Sequence, residues 1–262
     1  MPAMRRSQSI KAPYGSRGHR LASVDNGIRR VAPTFGKVLY STYSTKSTGQ
    51  LVESDEERLV AHMLTLDPRV RAFKPQPFKV DLIDRRLLQT PDSVVEARIR
   101  HKDRQGPKFY TPDFAVDRHS APRSAIEVKR EGYDGDDDYK SVLKQAGQIL
   151  ESAGYLFSIA MMPASPHPLR SNLPLLKKAA SRIDLWPSPD LVQRIDAVCA
   201  GGHITLRALC AELDLSPNLV PALLVSGAVS ADIAAYAIQG DMVLAPASGD
   251  LSHLGLVERV TL

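Results

Sequence analysis

After its first 35 residues the chain alternates hydrophobic and polar positions with periods that are typical of strands and helices. Residues 37–43 and 49–52, on either side of a Thr-Lys-Ser-Thr-Gly turn, predict a small hairpin. A helical period over 54–66 ends at Asp67-Pro68, because proline disfavours a helical conformation in the residue that precedes it. A hairpin followed by one helix is therefore expected.

The middle of the chain predicts a mixed α/β core in which strands and helices alternate. Helices are expected over 138–152 and 169–183. A turn through 119–122 would join the two strands on either side of it into a hairpin. The strands are expected over 70–80, 82–88, 108–116, 125–129 and 155–161.

The last part of the chain predicts a small domain that follows a Trp-Pro-Ser-Pro linker. A helix over 205–213, a turn at 214–216 and a second helix opened by Ser216 and Pro217 have helix-turn-helix proportions. A wing-like hairpin is predicted from 234–238 and 242–245. The expected organisation is a basic flexible arm, an α/β domain and a winged-helix-like domain, over 1–35, 36–185 and 186–262.

Charge is distributed unevenly along the 262 residues, whose net charge is +5. Residues 1–50 hold nine bases and one acid, whereas 187–262 hold three bases and eight acids. A flexible basic arm is a generic phosphate-seeking element, although a tail that serves only solubility has the same composition. The helix predicted at 217–228 contains no Lys or Arg, so the last domain is expected to dock protein rather than DNA.

Length and composition are those of an ordinary globular protein of one or two domains. The longest uncharged run, 215–231, is interrupted by prolines, and the basic start lacks the apolar stretch of a secretory signal. The two cysteines are too few for a disulfide framework, which fits a reducing compartment. We therefore expect a cytoplasmic protein.

The candidate chemistry lies in the segment Tyr110-Thr-Pro-Asp-Phe and in the triplet Glu127-Val-Lys129. Two strands in a hairpin can bring Asp113 beside Glu127, and alternation places Glu127 and Lys129 on one face of their strand. Two carboxylates about 4 Å apart repel by roughly 4 kcal/mol at an effective dielectric constant of about 20, so they need a cation or a proton. Such oxygen ligands select Mg²⁺ or Mn²⁺.

A divalent ion held there could activate water against a phosphodiester, with Lys129 orienting that water or neutralising the transition state. A bare Glu-x-Lys triplet is nevertheless common by chance, and the same residues could be ordinary surface groups. A further acid is expected from the helix upstream, where Glu53, Glu56 and Glu57 compete. Ser54 and Glu57 also form a capping-box pattern, although Glu57 shares a helix face with residues that would pack toward the sheet.

The chain resembles the TnsA-type transposon endonucleases, a branch of the PD-(D/E)xK restriction-endonuclease-like nucleases. The resemblance covers roughly residues 36–183 and matches Glu57 to the catalytic acid of the helix and Asp113 to the aspartate of the PDF segment. It matches Glu127 to the second metal-binding position, where some relatives carry Gln, and Lys129 to the catalytic lysine. The segments that carry it are SDEERLVAHML, DPRVRAFKPQPF, YTPDFAV, IEVK, GYLFSIA and LRSNLPLLKKA.

The resemblance implies an α/β fold with a restriction-endonuclease-like mixed sheet flanked by helices, followed by a small winged-helix domain. It implies a Mg²⁺-dependent endodeoxyribonuclease, in which Mn²⁺ can substitute, that cuts the 5′ ends of a transposon. The implied partners are double-stranded DNA, a DDE-type transposase that cuts and joins the 3′ ends, and an ATPase regulator docked by the C-terminal domain. Two alternatives are a stand-alone restriction or repair nuclease and a non-catalytic adaptor for DNA ends.

Three other polar patterns are not assigned to the site. Lys144 and Gln145 fit a solvated helix face as well as an active site. The alternating aspartates 134, 136 and 138 lack the glycine and glutamate of a calcium loop, so they are expected to cap the helix that follows. Cys199, His203 and Cys210 lack a fourth ligand and a CxxC spacing, so the cysteines are expected to be buried small residues.

Overall fold

The computed structural model describes residues 40–133 and 135–261, so the expected basic arm at 1–35 lies outside the described residues. The N-terminal hairpin and the following helix form, but the turn of the hairpin covers only residues 45–46, and residues 37–39 of the predicted first strand lie outside the described residues. Ser54 caps this helix by accepting the Glu57 backbone N–H, and Asp67 ends it. Up to this point the elements are β1 Tyr40–Ser44, β2 Ser47–Val52 and α1 Asp55–Leu66.

The middle of the chain forms the predicted mixed α/β arrangement, and the α/β fold class is confirmed. Its elements, in chain order, are β3 Val70–Pro75, β4 Lys79–Asp81, β5 Arg86–Leu88, α2 Pro91–Arg100, β6 Phe109–Tyr110, β7 Phe114–Arg118, β8 Arg123–Arg130, α3 Asp137–Ser152, β9 Tyr155–Met162 and α4 Pro168–Ala180. The helix α2 was not predicted, because only Val94 and Ala97 of its ten residues are buried and its hydrophobic period is weak.

A four-stranded sheet in the order β3-β7-β8-β9 forms the centre of this region. The strand β7 runs antiparallel to β3 and β8, and β9 runs parallel to β8. One face of β8 buries Ile126 and Val128 against α1 and α4, whereas Ala125 on the other face packs in a second cluster with α3. The sheet therefore lies between two helical layers, and residues that alternate along β8 face different layers.

The single strand predicted over 108–116 is divided in two, and this prediction was wrong. Its first part, β6, pairs with β4 in a separate three-stranded sheet, whereas its second part, β7, joins the central sheet. Pro112 has no N–H to continue a ladder. Asp113 follows it with its carbonyl bonded to the Gln76 N–H at 2.8 Å and its side chain bonded to the Val128 N–H at 2.7 Å.

The C-terminal region begins with a helix at the predicted linker, where Ser188 accepts the Leu191 N–H and Pro189 is the first helical residue. Its elements are α5 Pro189–Cys199, β10 Ile204–Thr205, α6 Leu206–Leu213, α7 Val220–Val225, β11 Val229–Ser230 and β12 Val243–Pro246, with short 3₁₀ turns at Ile183–Leu185, Pro217–Leu219, Ser252–Leu254 and Val257–Arg259.

The hairpin predicted from 234–238 and 242–245 does not form, because 234–238 is a series of turns. The buried Asn172 of α4 donates to the carbonyls of Ile233 and Tyr236 and accepts the Ile238 N–H. These backbone groups are thus satisfied without a strand partner. The strand β12 pairs instead with β10 and β11.

One hydrophobic cluster joins α1 and α4 to α5, α6 and α7, so the C-terminal region packs on the rest of the described chain. Val260 accepts the Met161 N–H at 2.6 Å, and Thr261 bridges to Ala160 beside the central sheet. No single helix in 40–133 or 135–261 is both long and apolar enough to cross a membrane.

Candidate active site

The predicted site residues come from three separate elements whose ends meet. Asp113 directly precedes β7, Glu127 and Lys129 lie in β8, and Glu57 lies in the first turn of α1. The antiparallel register pairs Phe114 with Ile126, so the next step along the hairpin sets Asp113 opposite Glu127, as predicted. All four side chains line one open cavity of about 820 Å³.

Glu127 is the most heavily bonded acid of the cavity, with only 4% of its surface exposed. The Tyr110 hydroxyl donates to its Oε2 at 2.5 Å, and the Tyr139 hydroxyl donates to its Oε1 at 2.5 Å. The Lys129 ammonium lies 2.6 Å from the same Oε1. A buried carboxylate with three donors of this kind is held in a single orientation.

Asp113 holds its carboxylate beside the other two acids. Its Oδ2 accepts the Val128 N–H at 2.7 Å, which fixes the side chain against the neighbouring strand. Burial of the carboxyl raises the pKa of Asp113 well above its usual value, and the charges of Glu127 and Glu57 raise it further. The raised pKa of Asp113 therefore reflects burial first and the nearby negative charges second.

Glu57 both caps its helix and faces the cavity. The Ser54 hydroxyl donates to its Oε1 at 2.8 Å, and the Glu53 N–H donates to its Oε2 at 3.1 Å. The residue is only 8% exposed. Burial raises the pKa of Glu57 in spite of these two hydrogen bonds, and the charges of Glu53 and Glu127 add to the rise.

The two competing acids, Glu53 just before α1 and Glu56 in its first turn, also line the cavity, but neither is buried as Glu57 is. Glu56 lies 3.4 Å from the guanidinium of Arg170, which holds it toward α4. Among the three acids, it is the charge of Glu57 that raises the pKa of Asp113.

The donor set fits a hard divalent cation. Three carboxylates supply only oxygen atoms, and burial together with the charges of neighbouring acids raises the pKa values of Glu57 and Asp113, so a bound cation would favour their charged forms. Mg²⁺ has metal–oxygen distances of about 2.1 Å, so its ligand oxygens lie at most about 4.2 Å apart. The acids of the cavity are more widely spread than the group described next, so Glu57 and Asp113 have to move toward the fixed carboxylate of Glu127 for one cation to bind all three.

A second group of possible ligands lies away from the cavity. Within 40–133 and 135–261, only Asp81, Asp84 and His101 bring the ligand atoms of three such side chains within 4.8 Å of one another. The group could hold a metal, and its atoms already have partners. His101 Nε2 lies 3.0 Å from the buried Asp81, whose other oxygen accepts two backbone N–H groups. Arg100 lies 3.0 Å from Asp84.

Tyr110 and Tyr139 contact the candidate site but were not predicted as site residues from the sequence. Tyr110 stands three residues before Asp113, but its contact with Glu127 crosses from one sheet to the other. Tyr139 lies in the first turn of α3, and its contact depends on where that helix begins relative to β8. The aspartates that precede Tyr139 signal only the helix start.

The remaining polar patterns have structural roles where the chain is described. Gln145 donates to the Leu82 carbonyl at 2.7 Å, which ties α3 to the smaller sheet. Asp136 caps α3 by accepting the Tyr139 N–H, as predicted, while Asp134 lies outside the described residues. Both cysteines are free and buried, as expected.

Neither a protein-family model nor a curated protein sequence matches the chain. The chemistry of the cavity is therefore the basis for the function proposed below. If a hard cation is bound, three acids and one ammonium group can together bind a phosphodiester, orient water and stabilise the charge that develops on the phosphate oxygens.

Proposed function

We propose that the chain is a metal-dependent DNA endonuclease, the subunit of a heteromeric cut-and-paste transposase that hydrolyses phosphodiester bonds at the 5′ ends of the transposon. The observation that carries the proposal is the common cavity of Glu57, Asp113, Glu127 and Lys129, which come from three separate segments. The resemblance to TnsA-type endonucleases supports the choice of transposon ends as the substrate.

The proposed fold is a restriction-endonuclease-like core with a winged-helix-like C-terminal region. The core is supported by the β3-β7-β8-β9 sheet, because Asp113, directly before β7, lies opposite Glu127 in the neighbouring strand β8. The C-terminal part is supported by α5, α6 and α7 together with the β10-β12-β11 sheet.

In the proposed reaction Glu57, Asp113 and Glu127 hold Mg²⁺ or Mn²⁺, which supplies Lewis-acid activation of the phosphodiester and of water. Lys129 then acts as a fixed cation. Burial by itself would lower the pKa of Lys129, but the charge of Glu127 and the hydroxyl of Tyr139 raise it above its usual value. The lysine therefore stays protonated and donates to the attacking water or to a phosphate oxygen rather than accepting a proton.

The proposed partners follow from charge and from the resemblance. The basic residues near the N-terminus favour the DNA backbone. The acidic C-terminal region, whose α7 contains no cationic residue, favours a protein surface and suits the ATPase regulator. The DDE-type transposase would cut and join the opposite strand at each end.

The test is end cleavage in a system reconstituted from this chain, the transposase, the ATPase and a DNA that carries both transposon ends. We expect Glu127→Gln and Asp113→Asn to lower 5′-end cleavage by about 100-fold or more, because each removes a metal-binding charge. Asp117→Asn is the matched control, since this residue lies further along β7 and pairs with Arg71. Full 5′-end cleavage by either active-site variant would rule out the proposal.

The same preparation separates the two alternatives. Efficient cutting of plasmid DNA by the chain without partners would favour a stand-alone nuclease. Thermal unfolding that is unchanged by Mn²⁺ would favour an adaptor, because a ligand that binds only the folded state at 100 times its dissociation constant adds about 2.7 kcal/mol of stability.

A further inference from the structure

The hydrogen bonds to Glu127 leave this carboxylate a single place for a metal. A carboxylate offers about four acceptor positions, two on each oxygen. Tyr139 and Lys129 occupy those of Oε1, and Tyr110 occupies one of those of Oε2. The remaining position belongs to Oε2, so Glu127 in this orientation can bind a cation through one oxygen only.

Tyr110 is held rigidly by the packing around its ring. It ends β6, which pairs with β4, and it is almost completely buried. Its ring packs in a T-shaped arrangement against that of Phe157 from β9, with the ring centres 6.2 Å apart and the planes at 88°. Because the ring cannot turn without disturbing both sheets, the direction of the hydroxyl is fixed by the fold.

Tyr139 is held by the first turn of α3. Its backbone N–H donates to Asp136, and its ring packs at right angles to that of Tyr133. Gly135 passes below both rings with φ of +62°, where a Cβ atom would lie 3.3 Å from Tyr139. A backbone of that shape favours glycine, and the missing side chain leaves room for both tyrosine rings next to Gly135.

Tyr139 also contacts Lys129. The ammonium lies 4.8 Å from the centre of the Tyr139 ring and 5.2 Å from that of Tyr133. Tyr139 thus contacts both Glu127, the candidate metal ligand, and Lys129, the candidate cation that neutralises charge in the transition state.

We propose that Tyr110 and Tyr139 are positioning residues that aim the remaining acceptor position of Glu127 at the metal. The inference rests on the proposed function, in which Glu127 is a ligand. Neither tyrosine touches the metal or the DNA in this role. Each acts through Glu127, and Tyr139 acts through Lys129 as well.

The test measures Mn²⁺ affinity and the Mg²⁺ dependence of cleavage for Tyr110→Phe and Tyr139→Phe in the full chain. Each substitution keeps the ring and removes only the hydroxyl. We expect Mn²⁺ binding to weaken by about 10- to 100-fold, the usual effect of losing a group that orients a metal ligand. Cleavage should recover at high Mg²⁺, since the ligands themselves remain. A merely structural role would lower cleavage at every Mg²⁺ concentration.

Tyr155→Phe and Glu127→Gln are the controls. Tyr155 packs its ring on Phe78 outside the cavity, so its hydroxyl should not affect metal binding. If both cavity variants bind Mn²⁺ as Tyr155→Phe does while Glu127→Gln binds it weakly, the positioning role is wrong and the proposed function survives. If Glu127→Gln binds Mn²⁺ as tightly as the unmodified protein, both are wrong. If Tyr110→Phe does not fold, Tyr139→Phe tests the positioning role alone, since Tyr139 is partly exposed and its substitution disturbs the core less.

Discussion

Glu57 combines on one carboxylate two roles that the sequence presents as alternatives. The spacing from Ser54 predicts a helix cap, and Ser54 caps the helix by accepting the Glu57 N–H. The Glu57 carboxylate in turn accepts the Ser54 hydroxyl and the Glu53 N–H. The same group is buried within reach of the charge of Glu127, which comes from a strand distant in sequence. A local pattern can predict the first role. The second depends on how α1 packs against β8.

At the residue scale, we expect Asp113→Asn to stabilise the metal-free protein at pH 8. Burial and the charges of Glu127 and Glu57 raise the pKa of Asp113, so the folded state binds its proton more tightly than the unfolded state does. The stability that this proton contributes is complete below about pH 4 and is lost as the pH rises through the raised pKa. The amide avoids this loss and can still accept the Val128 N–H.

Thermal unfolding of the two proteins between about pH 4 and pH 8 without metal checks this expectation. The gain in stability of Asp113→Asn over the unmodified protein should be smallest near the ordinary aspartate pKa of about 4 and should grow as the pH rises. A variant that is less stable than the unmodified protein throughout this range would show that the carboxylate is not strained by its neighbours.

At the scale of elements, strong local signals were enough to predict α1, α3 and β9 close to their observed bounds. The helix α5 was missed because its opening Ser188-Pro189 resembles a linker. The predicted strand 108–116 showed continuous β character, but its two parts belong to different sheets. Whether a strand changes sheet at Pro112 depends on its partners, and a periodicity in one chain segment carries no information about them.

The orientation of α1 depends on an ion pair with α4, which gives a second prediction. Arg170 lies 2.7 Å from Asp55 and 3.4 Å from Glu56, and it also donates to the Pro163 carbonyl. We expect Arg170→Met to lower the free energy of unfolding by about 1–3 kcal/mol, because these partners are partly buried and would lose a charged donor. Denaturant unfolding measures the change.

Arg58→Met is the matched control for this substitution. Arg58 pairs with the same Asp55, but within one helix turn and nearer to solvent, where such pairs contribute about 0.2–0.5 kcal/mol. If Arg170→Met and Arg58→Met lower the free energy of unfolding equally, the ion pair between α1 and α4 stabilises the protein no more than a surface ion pair does.

At the scale of the whole molecule, the C-terminal region is more closely joined to the core than its linker-like start suggests. Residues from α4, α6 and α7 share one hydrophobic cluster, and Glu258 pairs with Arg69 at 2.9 Å. The composition at 186–189 predicts a boundary along the chain. It cannot predict which surfaces pack together afterwards, because those contacts join residues that are far apart in sequence.

Substitution of Asn172 tests how strongly the C-terminal region is joined to α4. It is 1% exposed and bonds three backbone groups of the segment that follows β11. We expect Asn172→Leu to lower the free energy of unfolding by about 2–5 kcal/mol, since buried backbone groups would lose their partners. The same change at the exposed Asn218 should be nearly neutral. If the free energy of unfolding of Asn172→Leu lies within about 0.5 kcal/mol of that of the unmodified protein, Asn172 does not stabilise the contact between α4 and the C-terminal region.

Anomalous diffraction from crystals grown with Mn²⁺ would locate the metal directly and would distinguish the two groups of possible ligands. We expect a peak within about 2.5 Å of carboxylate oxygens from Glu57, Asp113 and Glu127, with side chains rotated to close the cavity around it. A peak found only among Asp81, Asp84 and His101, at Mn²⁺ concentrations that support DNA cleavage, would contradict the assignment of the active site.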